Sequence, residues 1–271
     1  MMGGPAVELD GVEKRFVSRT GTVHALDTVD LTVAPGEFAA LVGPSGCGKS
    51  TLLNLVGGLL LPSAGSVVVN GHRVTGPPAE VGVMFQSPVL LDWRTARENV
   101  VLPLEVHGGR RAARKAGERA DALLRLVGLD GFTDRYPGEL SGGMQQRVAI
   151  CRMLIADPDV LLLDEPFGAL DELTREHMNA ELARIVGTTA KTAVLVTHNI
   201  SEAVFLSDRI VVMTPRPGRV AGIVDVDLPR PRTLEQVTTE PFQRVARAVR
   251  ALLDPRPSTA ADGVGARTVV G

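Results

Sequence analysis

Apolar residues fall in short β-rich pieces over residues 6–42, namely AVELDGVEKRF, TVHALDTVDLTV and EFAALVG. Turn signals such as Pro35-Gly36 separate them, and short runs of this kind predict β-strands. A glycine-rich loop follows, and a helix is expected from about Lys49 to Leu60. VVVNG and VGVMFQ are further strand candidates. From about Trp93 to Ala156 the pattern becomes helical. Thr95 and Glu98 have the Thr-x-x-Glu spacing of a capping box. GRRAARKAGERADALLRLVGL reads as one charged helix ending at Gly128, and LSGGMQQRVAICRMLIADP as another, with Ser141 as N-cap.

Strand-like runs then return as VLLLDEP, TAVLVTH and DRIVVMT. VLLLD and AVLVT lack polar alternation, as strands buried on both faces do. With helices between them they predict an α/β fold with a parallel sheet, interrupted by a helical insertion at about 93–156. PFQRVARAVRALL, within a C-terminal extension at 226–254, reads as one more helix, and the small, polar stretch 255–271 as a disordered tail. No internal repeat is present in the 271 residues.

Composition narrows the field. The chain is 44% hydrophobic, enough for a sizeable core, and its net charge of −2 exerts no global pull on nucleic acid. Aromatics make up only 3%, which argues against base-stacking platforms. GGRRAARKAGER reads as the solvated face of a helix. Cys47 and Cys151 form no close-spaced metal or redox motif, which fits a reducing compartment. The opening MMGGPAVELDG has no apolar core segment, so no signal peptide is expected. Apolar runs such as LLNLVGGLLL are too short to span a bilayer.

The chemistry is concentrated in a few motifs. GPSGCGKS, Gly43 to Ser50, matches the G-x-x-x-x-G-K-[ST] phosphate loop and sits between a strand and a helix, as that motif requires. Its backbone N–H groups would close on a β-phosphate, Lys49 would reach the β- and γ-phosphates, and Ser50 would bind Mg²⁺. The nucleotide-binding set is Gly43, Pro44, Ser45, Gly46, Cys47, Gly48, Lys49, Ser50 and Thr51. Cys47 lies at a helix N-terminus, a setting that favours a reactive thiol, so its alkylation is expected to block ATP hydrolysis. In VLLLDEP an apolar strand ends in Asp164, which would hold Mg²⁺ through water, and Glu165 would deprotonate the attacking water. LSGGMQ adds a second glycine-rich helix start, with N–H groups suited to an anion.

Together GPSGCGKS, LSGGMQ and VLLLDEP, in that order, resemble the ATP-binding cassette (ABC) ATPases over about residues 6–225. The resemblance implies a RecA-like P-loop NTPase core sheet, an N-terminal antiparallel β subdomain and an inserted helical subdomain. It casts Gln86 as the Q-loop glutamine, which senses Mg²⁺ and water, and GALD with Asp171 as the D-loop. His198 becomes the switch histidine on the γ-phosphate. Phe16 takes the place of the adenine-stacking aromatic, where Tyr is more usual. In this family two cassettes pack head to tail. Ser141, Gly142, Gly143, Met144 and Gln145 would therefore face the ATP held by Lys49 of the partner, so the two phosphate sites of one chain belong to two composite sites.

DEPFGALDELTRE, SPVLLDWRTARENV and VVMTPRPGRV are similar to the nitrate/sulfonate/taurine branch of bacterial importers, with Asn199 where that branch usually has Asp after the histidine. This implies an ATPase subunit at the cytoplasmic face of the cell membrane, most simply a homodimer. It would bind integral permease subunits and, through them, serve a solute-binding protein. Val89, Leu90, Leu91 and Trp93 either receive the permease or pack the helical subdomain. A soluble ABC ATPase acting on nucleic acid or ribosomes is the alternative. A small-molecule kinase has no need of LSGGMQ or GALD.

Overall fold

A computed structural model describes residues 4–19, 21–168, 170–189 and 191–254, so the expected tail lies outside the described residues. The chain opens with β1 (Val7–Ser18), β2 (Gly21–Val33) and β3 (Phe38–Val42), followed by α1 (Lys49–Val56), β4 (Ala64–Val69), β5 (His72–Arg73) and β6 (Val81–Met84). A helical stretch comes next: α2 (Ala96–Lys115), α3 (Gly117–Leu126) and α4 (Gly142–Leu154). The last part is β7 (Val160–Asp164), α5 (Glu172–Thr189), β8 (Thr192–Val196), α6 (Ile200–Leu206), β9 (Arg209–Met213), β10 (Val220–Asp225) and α7 (Glu240–Leu253). Among the described residues no helix is long and apolar enough to cross a membrane.

Two sheets form. One is four-stranded and antiparallel, in the order β2-β1-β4-β5. The other has the order β10-β9-β3-β8-β7-β6 and is parallel except for β10, which pairs antiparallel with β9. Its central strands explain their unbroken apolar sequence. Phe38, Ala40, Leu161, Leu163, Ala193 and Leu195 point into one core, beneath the helical stretch. Ala39, Leu41, Val160, Leu162, Val194 and Val196 point into the other, against α1 and the antiparallel sheet. The period of two is present, but both faces are apolar because both are buried.

The helix expected over 49–60 stops at Val56. Gly58 takes φ +67, its N–H donates to Leu55 O, and the Leu59 N–H donates to Asn54 O. These two bonds are a Schellman stop, which satisfies the last carbonyls and turns the chain away. The Thr95–Glu98 capping box forms as expected, with Thr95 N donating to Glu98 Oε2 at 2.9 Å and Glu98 N to Thr95 Oγ1 at 3.3 Å. The charged run expected as one helix is divided between the end of α2 and α3, with Gly109 at φ +72 and a break at Ala116. α7 buries Phe242, Ala246 and Val249 against the larger core. Upstream of it, buried Arg232 donates from Nη1 to the carbonyls of Val204, Phe205 and Ser207 at the end of α6. Burial lowers the Arg232 pKa to about 10.

Gly58 offers a stability test. A Cβ there would lie 2.1 Å from the Gly76 carbonyl oxygen, whereas Gly71, at φ +79, faces open space. Gly58→Ala is expected to lower unfolding free energy by roughly 2 kcal/mol or more, and Gly71→Ala by about 1 kcal/mol from backbone strain alone. Urea denaturation curves compare the two.

Candidate functional site

The carboxyl ends of β3, β7 and β8 lie side by side, since Val196 is in register with both Leu41 and Asp164. The loop after β3 wraps into α1. Gly46 and Gly48 take φ +76 and +104, and a Cβ on Gly48 would meet Leu26 Cδ2 at 2.6 Å. Only glycine meets both demands, which is why the loop can fold so tightly against β2. Lys49 is buried, its Nζ donating to the carbonyls of Gly43 and Pro44 at 2.8 and 3.1 Å.

Ser50 Oγ donates to Asp164 Oδ1 at 3.0 Å, joining the two nucleotide motifs across 114 residues. The pair offers hard oxygen ligands of the kind a small divalent cation takes. Burial raises the Asp164 pKa, against the lowering effect of the Ser50 hydrogen bond, and neighbouring Glu165 adds to the rise. Glu165 itself is held at φ +43, its N–H donating to Val196 O at 2.8 Å. A non-glycine residue in this region marks local strain. His198 Nδ1 lies 3.2 Å from Glu165 Oε2, so two predicted catalytic groups meet directly.

Phe16, Val23, Ala25, Ser45, Gly46, Gly48, Lys49, Ser50, Thr51, Glu165 and Arg216 line one cleft of about 310 Å³. Phe16 is 39% exposed, with Lys14 Nζ 5.2 Å above its ring centroid. A larger cleft of about 570 Å³ opens beside Trp93 and Glu105. It has neither a phosphate loop nor a carboxylate pair at a strand end, so the chemistry belongs to the smaller one. On the β1–β2 hairpin, Glu13, His24 and Asp27 bring ligand atoms within 4.8 Å of one another. Arg15 and Arg219 already pair with those two carboxylates, which disfavours a cation there.

Ser141 to Gln145 do not line the phosphate-loop cleft. Ser141 caps α4, its Oγ accepting from Met144 N at 3.3 Å, and Ser141 and Gly142 face solvent. The Gln86 side chain is likewise exposed and outside the cleft, two residues beyond β6. Its backbone carbonyl accepts from Gln146 Nε2 at 3.2 Å, and the same amide donates to Pro166 O at 2.6 Å. Asp171 Oδ1 accepts from Thr174 N at 3.0 Å at the start of α5, and this bond holds its carboxyl below the usual range.

Three residues of the site were missed by sequence reasoning. Gln146 is a buried polar group on α4, and its burial and partners follow from the fold. Glu202 is buried beside the switch segment. Thr197 Oγ1 donates to Glu202 Oε2, and Asn199 N donates to Thr197 Oγ1 at 3.0 Å. The Glu202 N–H in turn donates to Asn199 Oδ1 at 3.1 Å. His198 is thus flanked by Thr197, which bonds the Glu202 carboxyl, and by Asn199, which bonds the Glu202 backbone and the Thr197 hydroxyl; burial raises the pKa of that carboxyl. Asn199 serves as the N-cap of α6, which its side-chain oxygen does as well as an Asp would. Arg216 sits too far along the chain for any motif to connect it to the loop.

The ABC transporter family model matches residues 26–168. The chain belongs to the ABC transporter family. It is 42% identical over 243 residues to the aliphatic sulfonates import ATP-binding protein SsuB of Bacillus cereus, covering 90% of this chain and 94% of that one. It is 49% identical over 225 residues to the taurine import ATP-binding protein TauB of Rhizobium johnstonii, covering 83% and 85%. Among solved structures, the dimeric structure of MJ0796, a bacterial ABC transporter cassette, superimposes with a TM-score of 0.74 at 34% identity. That match covers 82% of this chain and 99% of the other. The cassette is therefore a P-loop ATPase of the ABC class.

The expectation of a reactive Cys47 is corrected. Its side chain is fully buried in the core against α1 and the antiparallel sheet, and a Cβ on Gly43 would lie 2.8 Å from its Sγ. Cys151 is also buried, with its thiol pushed up to about 12. Neither thiol should react with a small maleimide in the folded cassette, and both should react in denaturant, as counted by mass spectrometry. Rapid native modification of Cys47 would mean that the phosphate loop opens.

Proposed function

We propose that this cassette is the ATP-hydrolysing subunit of a bacterial importer for small solutes of the sulfonate, taurine or nitrate type. The observation that carries the ATPase site is the Ser50–Asp164 hydrogen bond, with the Glu165–His198 contact next to it, Ser50 and Glu165 both lining the cleft. We assign residues 6–225 to the ATPase domain, with the helical subdomain at about 93–156 and the extension at 226–254.

Ser50 and Asp164 would hold Mg²⁺, which would neutralise charge on the triphosphate, and Gln86 would reach it only if the segment after β6 moves toward the cleft. Phe16 stacks on the adenine, and Lys49 leaves the Gly43 and Pro44 carbonyls for phosphate oxygens. Glu165 accepts the proton of the water that attacks the γ-phosphorus, and the bond to the β–γ bridging oxygen breaks, leaving ADP. His198 holds the γ-phosphate in line, oriented through Thr197, Asn199 and Glu202.

A second copy completes each site with its Ser141–Gln145 helix start. The exposed N-cap of α4, turned away from its own cleft, supports this arrangement. Asp171 stands at the start of α5, where the D-loop would reach the partner. Dimer closure on ATP and release after hydrolysis would convert the reaction into motion. Val89 and Trp93, 56% and 73% exposed, form the apolar surface that we assign to the permease at the cytoplasmic face of the membrane. The names of the SsuB and TauB relatives support the importer reading over a soluble, nucleic-acid-directed one.

Glu165→Gln is expected to keep ATP binding but to lose turnover by about a hundredfold or more, leaving a stable dimer visible by size-exclusion chromatography. Near-normal hydrolysis would remove Glu165 as the base. For the transport role, the tagged cassette is recovered from membranes in mild detergent and its companions are identified by mass spectrometry. A stoichiometric integral membrane protein is expected. Ribosomes or repair factors in its place would sink the importer reading.

A further inference from the structure

We infer that Arg216, on the loop between β9 and β10, is a nucleotide-binding residue that engages the phosphate chain of the bound nucleotide. The inference rests on reading the 310 Å³ cleft as the ATP site. Arg216 lines that cleft together with Ser45, Gly46 and Lys49, although it lies 170 residues beyond Gly46. Its Nε donates to the Gly46 carbonyl at 3.1 Å, which aligns the guanidinium along the lip of the phosphate loop.

The β9–β10 loop is built to hold it there. Gly218 packs so closely on the phosphate loop that a Cβ would lie 2.0 Å from Cys47 O. Gly218 N donates to Ala25 O at 2.9 Å, and Asp27 N donates to Gly218 O at 3.0 Å. Arg219 forms an ion pair with Asp27. The loop is thus tied both to the wall of the cleft and to the phosphate loop, which fixes the backbone just beyond Arg216.

Charge then decides the ligand. The neighbouring arginines are committed: Arg15 to Glu13 and Arg219 to Asp27. Among the described residues Arg216 has no carboxylate within ion-pair distance, and its side chain is exposed. An uncompensated guanidinium beside a phosphate loop matches the oxygens of a phosphate group, which it can grip through two parallel N–H bonds. Part of the positive charge facing the nucleotide therefore comes from the far end of the chain, in addition to Lys49.

The test is equilibrium binding of ATP, ADP and AMP by calorimetry to the full chain and to Arg216→Ala, Arg216→Lys, Arg216→Gln and Lys49→Ala. Arg216→Ala should weaken ATP binding about fivefold, the size expected for one exposed charge pair, with AMP affected least. Arg216→Lys should restore most of the loss, and Arg216→Gln, which keeps an N–H donor for Gly46 without the charge, should not. Full rescue by Arg216→Gln, or an equal loss for AMP, would reduce the residue to a loop prop and overturn the inference. Unchanged ATP binding in Arg216→Ala, with binding lost in Lys49→Ala, would overturn it while leaving the site intact. Unchanged binding in both variants would remove the site itself.

Discussion

The site depends on three parallel strands that end at the same height. β3, β7 and β8 are buried on both faces, so a one-residue slip of any of them would exchange its two apolar faces and shift its end by about 3.3 Å. With the register in place, the phosphate loop, Asp164 and Thr197 emerge together. Ser50 then reaches Asp164, and His198 reaches Glu165, through short side chains. The geometry of the candidate site follows from where the strands stop, and the strands stop there because two cores hold them from opposite sides.

Around that edge, single buried polar residues connect segments distant in sequence. Gln146 joins the segment after β6 to the segment after Glu165 from the first turns of α4. Any movement of the α4 N-terminus is therefore felt at the exits of both strands. Glu202 makes a local tie instead, accepting from Thr197 five residues before it and so holding the switch segment to α6. Arg232 fastens the C-terminal extension to the end of α6, the helix that begins just beyond His198. Each of the three keeps one buried polar atom without a hydrogen-bond partner (Gln146 Oε1, Glu202 Oε1 and Arg232 Nε), so losing the bonds it does make would add to a burial cost already present. In each case the partner is a backbone carbonyl or an adjacent loop residue, which places the coupling in the main chain.

The cleft carries charges of both signs. Lys49 and Arg216 supply positive charge to the cleft and Glu165 negative charge, with Asp164 bonded to Ser50 beside Lys49. Burial makes ionised Asp164 costly, and the Ser50 hydroxyl offsets part of that cost. A divalent cation between carboxylate and triphosphate would offset more of it. Lys49, meanwhile, satisfies its donors on its own loop, so that a buried ammonium is not left without partners.

Much of this was legible in the residues themselves. Local chemistry identifies GPSGCGKS, because only glycine at Gly46 and Gly48 permits such a turn, and VLLLDEP, because a strand buried on both faces must be apolar up to its functional end. The Thr95 capping box and the Ser141 cap are equally local, each depending on atoms a few residues apart. The end of α1 at Val56 was misjudged because leucines continue past it, and the Gly58 stop is decided by contact with Gly76. The reactive Cys47 was misjudged because burial is not a local property. Gln146, Glu202 and Arg216 acquire their roles only from neighbours 60, 5 and 170 residues away. The phosphate-loop and Asp164–Glu165 segments are recognisable from residue type at short spacing alone. Which side chains come together depends on strand register and on two cores closing around the same sheet, and so belongs to the fold.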